Sequence, residues 1–184
     1  TASLALLPRN LAVVASPTAA ARARQLGFTQ VQALVPGQQW QGGPDAGLRI
    51  RATAGAPVPQ VENGYLIEHS SGRVYLEPHG YLPADLPAQQ LDAVITPVVD
   101  LGLPLAGAFV RGRQVLPQLI ERFSPRTVLA STAGAEASYA GLLSRILWQR
   151  GTAAEAAEQV AAMPGAGQPC RVIDPEPGRR YALA

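Results

Sequence analysis

Lysine is absent from this chain, cysteine occurs once and histidine twice. Each shortage narrows the possible chemistry. Cys170 has no intramolecular disulfide partner, which fits a reducing compartment and makes the expected location cytoplasmic. Near a C-terminal strand, a lone thiol reads as a small core side chain before it reads as a nucleophile. The fifteen basic residues are all arginines, and against thirteen acidic ones they leave a formal charge of +2. They are scattered, clustering only at Arg179-Arg180 and at Arg111 and Arg113. A surface that tracks phosphates needs a denser stripe with aromatics for base stacking, and aromatic content is only 5%. Nucleic acid is therefore not an expected partner. No apolar run approaches the length that spans a bilayer. The opening Thr1–Asn10 lacks a basic region and is broken by Pro8, unlike a signal peptide. No initiator Met is present.

What remains is enough for a core. At 184 residues and 47% hydrophobic, the chain reads as one domain over 1–184. It is organised around Glu62–Gly80. Tyr65-Leu66-Ile67 and Val74-Tyr75-Leu76 are aromatic and branched, and Ser70-Ser71-Gly72 between them supplies a tight turn, so the segment predicts a β-hairpin. The returning strand delivers Glu77, Pro78 and His79 at its end, where open sheets present chemistry. His69, beside the turn, reads as a solvated side chain. Glu77 and His79 fall on one face of an extended strand unless Pro78 breaks it.

In chain order, strand and helix alternate. Val13–Ala15 predicts a short strand, and Ser16-Pro17 supplies a cap and a first helical position for a helix over Thr18–Leu26, closed by Gly27. Val31–Val35 follows as a strand, Gln38–Gly47 as a loop, Leu48–Thr53 as a strand with one wet face, and Gly55–Pro59 as a rim loop. Beyond the hairpin, Tyr81–Leu91 is a proline-marked connection with one helical turn. Asp92–Pro97 is a buried strand and Pro104–Gly112 a loop. Val115, Leu116, Leu119, Ile120 and Phe123 mark a helix stopped by Ser124-Pro125. Thr127–Ser131 then completes a right-handed crossover, so the two flanking strands should be parallel. Helices are expected over Glu136–Arg150, lined by Tyr139, Leu142, Leu143, Ile146 and Leu147, and over Thr152–Met163, opened by a Thr152…Glu155 capping box. Cys170–Ile173 is a last strand.

A resemblance now adds to this. Val13–Pro17, Leu26–Phe28, Ala54–Pro59, Glu62–Tyr65, Glu77–Gly80, Ile95–Asp100 and Thr132–Gly134, in that order, resemble the metallo-β-lactamase fold superfamily, in particular a cyanobacterial and plant branch. The resemblance implies an α/β (α+β) fold, the second part of an αββα sandwich with mixed sheets and outer helices. It implies a metal site at the sheet edge and a hydrolase. It also implies that the principal His-x-His-x-Asp-His motif lies before Thr1, outside this chain. The family's later histidines are not matched either, because none occurs between Ala52 and Gln60, and Ser131-Thr132 stands where the last is expected. His79, with Glu77 close by, is the candidate metal ligand set. Zinc needs three or four ligands, so the chain alone is expected to hold no cofactor, and zinc requires ligands from the missing N-terminal segment.

Two readings stand. One is a metal-dependent hydrolase completed by residues elsewhere, in which metal lowers the pKa of water for attack on an ester, lactone, amide or phosphoester. The other is a metal-free relative serving as a binding or scaffold subunit. In either, the sheet faces around Val94–Thr96 and Val128–Ala130 lack cover, and the expected partner is the missing segment or another chain. A bland reading of His79, a structural imidazole held by Glu77, competes with both. No Gly-x-Ser-x-Gly elbow surrounds Ser16, Ser131 or Thr132, and a Ser-His-Asp set from His79 and Asp100 rests on spacing alone.

Overall fold

Branched and aromatic residues on alternate positions give the long central strands, and their register decides which face is dry. The computed structural model describes residues 2–43, 47–56, 62–84, 86–132, 146–163 and 169–183. A short helix α1 (Ala2–Ala5) precedes β1 (Ala12–Ala15), α2 (Pro17–Gln25) and β2 (Gln30–Ala33), and β1 and β2 pair in parallel. Next come β3 (Gln39–Gly42), β4 (Leu48–Ala54), the hairpin β5 (Asn63–His69) and β6 (Gly72–Leu76), and β7 (Ala93–Pro97). The chain continues through β8 (Asp100–Leu103), β9 (Gly107–Arg111), α3 (Gly112–Phe123), β10 (Thr127–Ser131), β11 (Trp148–Arg150), α4 (Ala153–Ala161) and β12 (Arg171–Ile173).

Seven strands form a mixed sheet in the order β12-β10-β7-β6-β5-β4-β3. The crossover through α3 does place β10 parallel to β7. Leu66, Tyr75, Val94, Val128 and Val172 form one row across five strands. The amphipathic α3 covers that row with two stripes. Leu116 and Ile120 pack with Val128 and with Ala156 and Val160 of α4. Leu119 and Phe123 pack with Leu66, Tyr75 and Val94, and the Tyr75 and Phe123 rings lie 5.3 Å apart and tilted by 50°, within the range aromatic pairs prefer.

The neighbouring row is different. Tyr65, Leu76, Ile95, Leu129 and Ile173 lie across the same strands on the opposite face and are only half-buried. Burial alternates along these strands. Val94, Thr96, Val128 and Ala130 are buried, while Ile95 and Leu129 between them are not.

Several elements differ from the sequence reading. Gln38–Gly47 is not all loop, since Gln39–Gly42 pairs with β4 and sets Trp40 opposite Ile50. Pro104–Gly112 is not a loop either. Pro104 and Gly107 confine the turn, and the residues after it pair back on β8, with Leu101 opposite Val110. Trp148–Arg150 leaves the expected helix Glu136–Arg150 and pairs with β8 as a strand. The cause is tertiary. Trp148 lies so close over Gly102 that a Cβ there would come within 2.3 Å of its ring, and an aromatic residue suits a pleated surface. Residues 133–145, with Leu143, lie outside the described residues. Ser16 starts α2 without a side-chain cap and Pro17 is helical, whereas Thr152 Oγ1 does accept from Glu155 N–H at 3.1 Å. Tyr81–Leu91 contains a turn closed by Leu86 N–H on Pro83 carbonyl.

Because Leu119 is fully buried between α3 and the sheet, Leu119→Ala is expected to lower stability by about 2–5 kcal/mol. Urea unfolding measures this, and a loss under about 1 kcal/mol would mean that α3 does not seal the sheet as described.

Candidate functional site

The ladder between β6 and β7 extends one residue past the strand, with Glu77 N–H donating to Ile95 carbonyl at 2.9 Å. Pro78 has no N–H to continue it, and the chain turns. The turn is held from inside by Glu77. Its side chain is wholly buried, and Oε2 accepts the backbone N–H of His79 at 3.0 Å and of Tyr81 at 2.8 Å. The turn is also held from outside. His79 carbonyl accepts Arg111 N–H at 3.0 Å, and Gly80, with φ of 68°, lies so close that a Cβ would stand 2.5 Å from Gly112 N. Only glycine meets both demands at position 80.

The two candidate ligands, Glu77 and His79, have different neighbours. Glu77 engages the amide of His79 and not its imidazole, which corrects the reading of a ring oriented by Glu77. His79 Nδ1 lies 3.2 Å from Glu62 Oε2, off the line of a hydrogen bond, so Nδ1 has no hydrogen-bond partner. Pro78 is the reason, since the turn it begins sends the two side chains to different neighbours. Asp100 is committed elsewhere, with Oδ1 accepting Arg113 N–H at 3.1 Å and Oδ2 the Gln114 amide at 3.4 Å. It anchors the first turn of α3, where a carboxylate is favoured, and is no member of a triad. Asp92 accepts Arg73 N–H at 2.7 Å. His69 is partly exposed, and its Nδ1 lies 2.7 Å from Ser71 Oγ.

Among the described residues, no three His, Cys, Asp or Glu side chains gather where one metal ion could be held. Buried polar atoms without a partner do gather. Asn63 Oδ1, Glu77 Oε1, His79 Nδ1, Thr96 Oγ1 and Ser131 Oγ all belong to the end of the sheet formed by the close of β6, β7 and β10 and the start of the antiparallel β5. Asn63 and Thr96 fall within the resemblance segments Glu62–Tyr65 and Ile95–Asp100, but no role was assigned to either. Their position was a further signal, Asn63 opening a strand before Gly64 and Thr96 closing one before Pro97. Beside this edge opens a cleft of about 400 Å³, lined by Ser16, Arg22, Glu62, Asn63, Tyr65 and Pro78 among others.

With this geometry in place, the chain can be set beside known proteins. No family model matches it, and no curated protein does. Solved structures do match. A protein assigned as a metal-dependent hydrolase from Parabacteroides distasonis superposes over 88% of this chain, with a TM-score of 0.52 and 15% identity. CmlA, a diiron β-hydroxylase from Streptomyces venezuelae, superposes over 88%, with a TM-score of 0.55 and 14% identity. The chain has the metallo-β-lactamase fold. It spans 63% of the length of the first relative and 38% of the second. At this identity the likeness concerns fold.

Within that fold the electrostatics of Glu77 are unusual. Burial raises its pKa to about 7, against the lowering effect of the amides of Tyr81, His79 and Gly80, and nearby Glu62 adds a small further rise. The folded protein therefore binds a proton here that the unfolded chain has already released between the ordinary glutamate pKa and about 7, and stability falls as pH rises through that window. The loss is on the order of 3 kcal/mol if Glu77 alone is responsible. Glu77→Gln, which keeps an acceptor for the two amides but cannot ionise, is expected to flatten the dependence of Tm on pH between about 4.5 and 7. An unchanged slope in the variant would place the titration elsewhere.

Proposed function

We propose that this chain, taken by itself, is a metal-free binding unit built on a hydrolase-type fold. The observation that carries this reading is the placement of Glu77. Its carboxylate is enclosed, one oxygen already accepts two amide protons, and the His79 ring turns toward Glu62. A catalytic zinc centre takes three protein ligands and an open position, each ligand oriented by a further partner. Glu77 and His79 alone do not reach that count, and the Glu77 carboxylate is already held on one oxygen by the turn. What the edge does offer is the cleft beside Pro78, with Arg22 and Glu62 supplying both signs of charge.

The half-buried row of Tyr65, Leu76, Ile95, Leu129 and Ile173 is, in this reading, the face that a further layer covers, supplied by another segment or another chain. The single thiol, Cys170, suits the cytoplasm. A second reading, a hydrolase completed by ligands from outside the described residues, is favoured by the row of partnerless polar atoms at the same edge.

The first reading is tested on the chain as it stands. Elemental analysis of the purified chain, followed by calorimetric titration with zinc, is expected to show no stoichiometric metal and no tight binding. Zinc-dependent hydrolysis by the chain that disappears in His79→Ala would overturn the proposal in favour of the hydrolase.

A further inference from the structure

We propose that the tip of the β8–β9 hairpin is a surface anchor for anionic phospholipid membranes. The inference starts from a residue that folding does not account for. Leu105 is completely exposed and has a φ of 66°, in the centre of a three-residue turn closed by Ala106 N–H on Pro104 carbonyl at 2.8 Å. A leucine there is disfavoured twice. The left-handed backbone suits glycine or asparagine, and water disfavours an apolar side chain that touches nothing. Contact with an apolar medium removes the second penalty and gives the side chain a purpose.

The surroundings match one kind of medium. Phe109, on the strand that returns from the tip, is 41% exposed. The Trp148 ring lies over Gly102 in the adjoining strand, and the Arg150 guanidinium stands 5.1 Å from that ring. Arg111, Arg113 and Arg150 are all exposed. Segments 100–113 and 148–150 contain a single carboxylate, Asp100, and it is buried and engaged by the first turn of α3. The sheet thus presents an apolar tip, aromatic side chains behind it, and arginines with no exposed acid among them. Aromatic residues at the headgroup level and basic residues facing anionic lipid are the elements of peripheral membrane binding. A second copy of this chain is a poor occupant, because a twofold contact would set these arginines against one another. A single inserted leucine with flanking arginines makes a one-sided, reversible anchor.

The test is cosedimentation of the full chain with vesicles of phosphatidylcholine mixed with phosphatidylglycerol, and with vesicles of phosphatidylcholine alone. Binding is expected to the mixed vesicles, to fall as salt rises, and to be weak on the neutral ones. Leu105→Gly removes the apolar tip and relieves the backbone, so it should weaken binding about tenfold and raise Tm. Arg111→Gln combined with Arg150→Gln should weaken binding several-fold through lost attraction to lipid. Absence of wild-type binding to the mixed vesicles overturns the proposal, as does equal binding by Leu105→Gly. A concentration-dependent dimer that Leu105→Gly abolishes also overturns it, and assigns the tip to a second copy.

Discussion

The turn after β6 rests on one carboxylate in a place where carboxylates are costly. Glu77 has no exposed surface, yet it supplies the acceptor for two backbone amides that would otherwise be buried without partners. Leaving those donors unmet costs more than enclosing one acid, which can take up a proton. The turn then fixes where Gly80 meets Gly112, and that contact fixes how α3 leaves β9. Since α3 seals both halves of the core, the geometry of the edge and the packing of the interior are one constraint.

The same arrangement explains why Glu77 and His79, neighbours in sequence, reach different partners in space. Glu77 and His79 are two residues apart, the spacing of neighbours on one face of a strand. Pro78 ends the ladder between them. The acid turns inward to serve amides, and the ring turns to Glu62. No rule of local spacing contains the Tyr81 amide, which lies beyond the strand and makes the shorter of the two bonds to Glu77.

Legibility in the rest of the chain follows contact distance along the sequence. The hairpin of β5 and β6, the α3 stripe and the parallel pairing of β7 with β10 could be read, because each depends on periodicity or on a crossover of ordinary length. β9 and β11 could not. Gly107–Arg111 lies in a stretch bounded by Pro104 and Gly112, as a loop would, and Trp148–Arg150 continues an apolar pattern at helical spacing. Each becomes a strand because it lies on β8, and Asp100–Leu103 itself announces little in four residues. Thr152 was legible because its partner Glu155 is three residues away, and the uncapped Ser16 failed by the same rule.

The sheet order also has a consequence for biosynthesis. β10 is bordered on one side by β7, made earlier, and on the other by β12, whose three residues come some forty positions later. On the ribosome, β10 therefore emerges with one edge paired and the other bare until Arg171–Ile173 has been synthesised. An unpaired edge with Val128 and Leu129 on it is an invitation to intermolecular pairing. A chain interrupted between β10 and β12 would keep most of its core and still carry that edge open, so its characteristic failure would be aggregation before unfolding.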